Sequence, residues 1–214
     1  MKNKKLINWL CLSGVVALIF YILHAMIGAM NYPGYNWKSQ ALSDLTATDA
    51  PSFMIANAYS NIYGTFAVLC CAIVAILIQR EKSKALRIGV YLFMIMNFIS
   101  GFGFSLFPLS SSGFDNSFQS KMHVITLVPV ILLSIISLIL IAIGSFKGET
   151  KHKYLGIFSI ISLLCMFAGS IGAGVVPEKY IGIPARFGSY SAASFPAILG
   201  IYGFCVFKQD EKDT

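Results

Sequence analysis

Few side chains in this chain can move a proton, hold an anion or bind a metal, and they lie far apart in sequence. Those that stand out are His24, the adjacent pair Ser43-Asp44, His123 and Arg186. An imidazole can exchange a proton or ligate a metal. A carboxylate next to a hydroxyl can act as a base or close a turn on itself. A guanidinium presents a planar fork that suits phosphate or carboxylate. Two His and one Asp amount to three zinc ligands with a position left for water, with Asp49 or Glu178 as the second carboxylate such a hydrolase needs. The patterns that would fix this chemistry are missing from the sequence. There is no H-E-x-x-H, no G-x-S-x-G elbow, and no Walker A or G-x-G-x-x-G phosphate loop.

Each candidate also has a plainer reading. His24 can be an interfacial imidazole bonded to a neighbouring carbonyl, and His123 a first-turn residue facing water. Arg186 can be a snorkelling anchor, and Asp44 the cap of a short turn. His152, between Lys151 and Lys153, is expected to be solvated.

The elements that position these residues are membrane helices. The chain has 214 residues, 57% hydrophobic and 12% charged, whereas soluble domains carry about 25% charged residues. Six apolar runs, at roughly 7–30, 57–79, 88–108, 123–146, 154–176 and 188–207, reach the ~20 residues needed to cross a ~30 Å hydrocarbon core. The expected fold is all-α, a bundle of six transmembrane helices forming one domain over residues 1–214. The opening MKNKK and its apolar run lack a small-x-small cleavage site, so the first helix is read as uncleaved. The five cysteines all fall in apolar runs without C-x-x-C spacing, which points to buried, inert thiols.

Basic residues orient the bundle. With both termini in the cytoplasm, twelve Lys and Arg lie inside and only Lys38, Lys121, Lys179 and Arg186 outside. The net charge of +7 is therefore orienting charge and implies no nucleic acid. The inner connections, 80–87 and 147–153, are short, which makes the second and third helices, and the fourth and fifth, antiparallel neighbours. The outer ones, 31–56, 109–122 and 177–187, exceed what connection requires, a mark of functional loops. The stretch 31–51 is the longest polar interruption. Asp49-Ala50-Pro51 reads as a helix N-cap followed by a first-turn proline. His24, Asp44, His123 and Arg186 all fall on the outer side, beside interfacial aromatics such as Tyr32, Trp37, Phe114 and Tyr190. Pro129 and Pro196 lie within helices, where with Thr126, Ser191 and Ser194 they could frame an outward pocket. The outward-going helices end alike, in GAMNYP, GFSLFP and GAGVVP, a hint of three related hairpins.

Taken together, Ser43-Asp44-Leu45 after the first helix, Phe107-Pro108 closing the third, His123 starting the fourth and Arg186 before the last resemble the bacterial membrane family catalogued as domain of unknown function 998. The resemblance spans nearly the whole chain and implies six helices but no reaction. The Ser43-Asp44 to Pro51 spacing is also similar, more distantly, to the eukaryotic DRAM-like membrane family, associated with lipid remodelling.

The expected function is binding or handling of a lipid or small amphiphile at an outward site. His24, Ser43, Asp44 and His123 would line it, and Arg186 would oppose an anionic head group. The alternatives are a membrane-embedded metal-dependent hydrolase or transferase, and an accessory subunit of a membrane complex. No cofactor is implied, and the expected location is the plasma membrane of a bacterium.

Overall fold

A computed structural model describes residues 2–111 and 115–209, with the side chains of 6–111 and 115–207. Phe114 and the charged stretch 210–214 lie outside the described residues. The described chain is helical, in seven α-helices joined by turns and short 3-10 segments. They are α1 (Lys2–Leu10), α2 (Ser13–Met30), α3 (Phe53–Leu77), α4 (Lys84–Leu106), α5 (Phe118–Lys147), α6 (Lys153–Val175) and α7 (Gly182–Gln209). A turn at Cys11-Leu12 separates α1 from α2, and together they make one apolar span, Leu6–Met30. Six such spans are long and apolar enough to cross a membrane. The protein is a multi-pass, all-helical membrane protein.

Several helices begin earlier than the apolar runs alone indicate. α3 starts at Phe53 with Ser52 in the N-cap position, so Asp49 is not the cap. The Ser52 hydroxyl instead donates to Leu45 O (2.8 Å). α5 is capped by Ser117, which accepts from Ser120 N, so His123 stands in its second turn and does not open it. α7 starts at Gly182, which puts Arg186 inside the helix and not ahead of it. Only α5 begins in polar sequence, Phe118-Gln119-Ser120-Lys121, whereas α3 begins Phe53-Met54-Ile55-Ala56 and α7 Gly182-Ile183-Pro184-Ala185, so loop and helix there are not told apart by hydropathy. Pro129 and Pro196 both sit inside helices.

Connectivity gives the bundle two ends. The loop face carries 31–52, 107–111, 115–117 and 176–181, and the terminal face carries 78–83, 148–152, the start of α1 and the end of α7. The most intimate pairs are α2 with α3, α4 with α5 and α6 with α7, all joined across the loop face. The pairs joined by short connections, α3 with α4 and α5 with α6, also touch, less extensively. Small residues bring α4 and α5 together: a Cβ on Gly89 would stand 2.8 Å from Ile141 N and one on Gly144 would overlap the backbone of Leu86. Close backbone approach at small residues is how apolar helices associate in lipid, where hydrophobic burial drives little.

The core fills the terminal-face half. Val74, Ile78, Leu86, Val90, Leu138, Ile141, Leu155 and Leu199 are buried there, with Phe93 meeting Phe195 edge-on at 4.9 Å. Cys11, Cys70 and Cys71 belong to this core, but Cys165 is half-buried and Cys205 exposed, so burial of the thiols is not general. The loop-face half is hollow.

Candidate functional site

The hollow is a cavity of about 610 Å³ that touches α2 through α7 and the loop above them. That volume lies within the range of small-molecule sites, ~300–1,000 Å³. Met96, Val130 and Met166 belong both to the core and to the cavity lining, and so form its floor. Ala41, Leu42, Ser43 and Thr46 form the roof. Along α3 and α4 the wall is polar, with Asn57, Ser60, Asn61, Asn97 and Ser100. Leu127, Ile131 and Ile135 of α5 and Phe167 of α6 add apolar lining, beside Ser134 and Ser170. Asn61 and Ser105 lie at an exposed rim, where the Ser105 hydroxyl donates to Asn61 Oδ1 (2.7 Å).

His24 and His123 both line this cavity. His24, on the fourth turn of α2, is only 4% exposed, and its Nδ1 lies 3.0 Å from Ala56 O. His123 Nδ1 lies 2.8 Å from Phe107 O, beside the Phe104 ring at 4.7 Å. Helix ends supply both carbonyls: Ala56 stands in the first turn of α3, and Phe107 just past the end of α4. Ser43 joins the two His at the roof.

Asp44 and Arg186 do not line the cavity. Asp44 is buried in the 3-10 turn Ser43–Thr46, where its Oδ2 accepts from Ala41 N (2.8 Å). Arg186 spends its fork on the loop. Nη1 donates to Trp37 O (2.5 Å), Gln40 O (2.9 Å) and Gly182 O (2.7 Å), and Nη2 to Tyr35 Oη (2.6 Å). The Tyr35 and Trp37 rings lie 5.9 and 5.8 Å from the guanidinium. Tyr35 in turn donates to Ala41 O (3.0 Å). Burial pushes its phenol above the ordinary value, against the pull of Arg186. The N–H of Gly182 donates to Lys38 O (2.8 Å), and a Cβ at Gly182 would overlap the Gln40 carbonyl. Arg186 thus clamps the roof to the start of α7.

Arg186 also borders a separate shallow groove of about 490 Å³ between α2, α6 and α7, with Ser191 and Ser194. Those serines, and Thr126, are therefore not part of the main cavity. Ser191 donates to Ser162 O (2.7 Å) and Thr126 to Met122 O (2.9 Å). Beside the roof, Thr48 bonds the second loop through Leu109 O and Ser110 O, both at 2.8 Å. In that loop Ser110 Oγ donates to Asp115 Oδ2 (2.5 Å) and sits 2.6 and 2.9 Å from the Ser117 and Ser120 hydroxyls. The hydroxyls of Ser110, Ser120 and Ser117 hold the Asp115 carboxyl well below the usual carboxylate range.

One polar cluster lies on the other face. His152 is 1% exposed, not solvated. Its Nε2 lies 3.1 Å from Glu81 Oε2 and its Nδ1 2.7 Å from the Tyr202 hydroxyl. Lys151 Nζ lies 3.1 Å from Glu81 Oε1 and 3.3 Å from Glu149 Oε2. The partners are 71 and 50 residues from His152 in sequence, so its two lysine neighbours gave a misleading local signal.

Among the described residues no three His, Cys, Asp or Glu side chains come together in a way that could hold a metal. No curated protein and no solved structure matches the chain. A family match does exist, to the family described as Protein of unknown function (DUF998), over residues 15–202. That interval takes in most of the first and last spanning helices and all of the four between, with the roof, the Arg186 clamp and both cavity histidines, and it shows that the chain belongs to the DUF998 family.

Proposed function

We propose that the protein binds a lipid or small amphiphile in the loop-face cavity. The cavity itself carries this reading: about 610 Å³ lined both by amides and hydroxyls, such as Asn57, Asn97 and Ser100, and by apolar side chains, such as Leu127, Ile131 and Phe167. A molecule with a polar head and a hydrocarbon body satisfies both kinds of lining, and water alone satisfies only one. His24, His123 and Ser43 contact the occupant, and Asp44 and Arg186 hold the roof. The charge asymmetry along the sequence favours a loop face outside and termini in the cytoplasm, with the six helices working as one unit in the plasma membrane of a bacterium.

Native mass spectrometry of the protein released gently from membranes tests this. The expected spectrum carries a co-purifying amphiphile that disappears in Ala192→Phe, because Ala192 lines the cavity and is partly open to it. A folded Ala192→Phe protein that keeps the same adduct would place binding elsewhere and sink the reading.

A further inference from the structure

We infer that the head group taken by the cavity is uncharged and hydroxylated, an inference that rests on the cavity being the binding site. Among the described residues no Asp, Glu, Lys or Arg lines it. An ionised head placed there would be a buried, unpaired charge, which is among the costliest things a protein can hold.

The polar lining is also uneven in its hydrogen-bonding capacity. A backbone carbonyl only accepts, so the short contacts to Ala56 O and Phe107 O put the hydrogen of each imidazole on Nδ1. An imidazolium here would itself be unpaired, and the neutral ring leaves Nε2 as a bare acceptor. Neither Nε2 has a hydrogen-bond partner among the described residues, although His24 is 4% exposed.

Several other lining groups place a donor on a nearby carbonyl. Ser134 donates to Val130 O (2.7 Å), Ser189 to Ala185 O (3.0 Å) and Thr46 to Ser43 O (3.1 Å). Asn97 places one Nδ2 hydrogen on Phe93 O (2.9 Å) and keeps the other. These three hydroxyls keep oxygen lone pairs while their donor is spent, and with the two Nε2 atoms they offer acceptors. The complementary group donates hydrogen bonds without carrying charge. Alcohol hydroxyls of a glycerol or sugar head fit this, and because they also accept they can meet the amides of Asn57 and Asn61. Ionised phosphate and carboxylate heads offer no donor to either Nε2 and bring a charge that no lining cation pairs.

Binding to the full chain, held in a detergent without hydroxyl groups, tests the assignment. The probes are dioctanoylglycerol, dioctanoyl phosphatidic acid, a dodecyltrimethylammonium salt and glycerol. Dioctanoylglycerol is expected to bind at least tenfold tighter than either charged amphiphile. Asparagine can reproduce the Nδ1–H of histidine but has nothing at the Nε2 position. His24→Asn and His123→Asn should therefore keep the fold and each weaken dioctanoylglycerol about tenfold, the scale of one buried hydrogen bond.

Equal or tighter binding of a charged amphiphile that Ala192→Phe still blocks would overturn the head-group assignment and leave the cavity reading standing. Asparagine variants that bind dioctanoylglycerol as tightly as the parent would also overturn it. Glycerol binding as tightly as dioctanoylglycerol would uphold the hydroxyl recognition and overturn the amphiphile. Binding of none of the probes would overturn both readings.

Discussion

His152 uses both ring nitrogens at once. Nε2 meets the Glu81 carboxylate and Nδ1 the Tyr202 hydroxyl, so the side chain ties two terminal-face connections to α7. Removing one member strands the others in a buried setting, at a cost of about 1–3 kcal/mol. Tyr202→Phe and His152→Ala are thus expected to lower the thermal midpoint in detergent while leaving loop-face ligand binding intact. The two effects should not add, since both variants break one chain of contacts. Full additivity in a double-mutant cycle would contradict this. Asp115 allows a pH prediction. Its carboxyl titrates below its unfolded value, so its contribution is complete above the unfolded value and fades as pH falls through the folded one. In a ¹³C NMR titration its midpoint should fall below the ordinary Asp value of about 3.9, and Ser110→Ala should move it upward. An ordinary midpoint in the parent protein would refute the serine cage.

At the scale of elements, the roof is a polar loop fixed by one guanidinium. A lysine cannot reproduce a planar fork that serves three carbonyls and a phenol. Arg186→Lys and Arg186→Ala should both raise amide exchange across residues 35–45, and the alanine variant should also raise the dissociation rate of a cavity ligand. Unchanged exchange in Arg186→Ala would show that the helix ends hold the roof without it. This element also shows what was legible beforehand. That 31–51 is a long polar loop, that Arg186 lies at the same end of the bundle, and that six helices are long and apolar enough to span a membrane all follow from hydropathy and charge order. That Arg186 faces inward to carbonyls does not, because its partners lie 146–149 residues away. Helix starts were missed for other reasons: α5 begins after its Ser117 cap in polar sequence, where apolar runs are silent, and α7 begins at Gly182-Ile183-Pro184, residues that also suit a loop.

Across the whole molecule, the two halves of the bundle do different work. The terminal-face half is packed with Leu, Ile, Val and Phe and stitched by Gly89 and Gly144. The loop-face half encloses space. Grouping of His24 with His123 was legible only as a shared side of the membrane. Their common cavity needed the hairpin pairing α2 with α3 and α4 with α5, which no local motif encodes. The terminal-face cluster of Glu81, His152 and Tyr202 was not legible at all, for the same reason of long sequence separation. The Arg186 clamp holds the roof over the hollow half, and Asn61 and Ser105 give its lining an exposed polar edge on α3 and α4. An amphiphile that entered there from the bilayer would fill the cavity according to its mole fraction among the surrounding lipids. Diluting vesicles with buffer would then leave the site as full as before, and diluting them with other lipid would empty it.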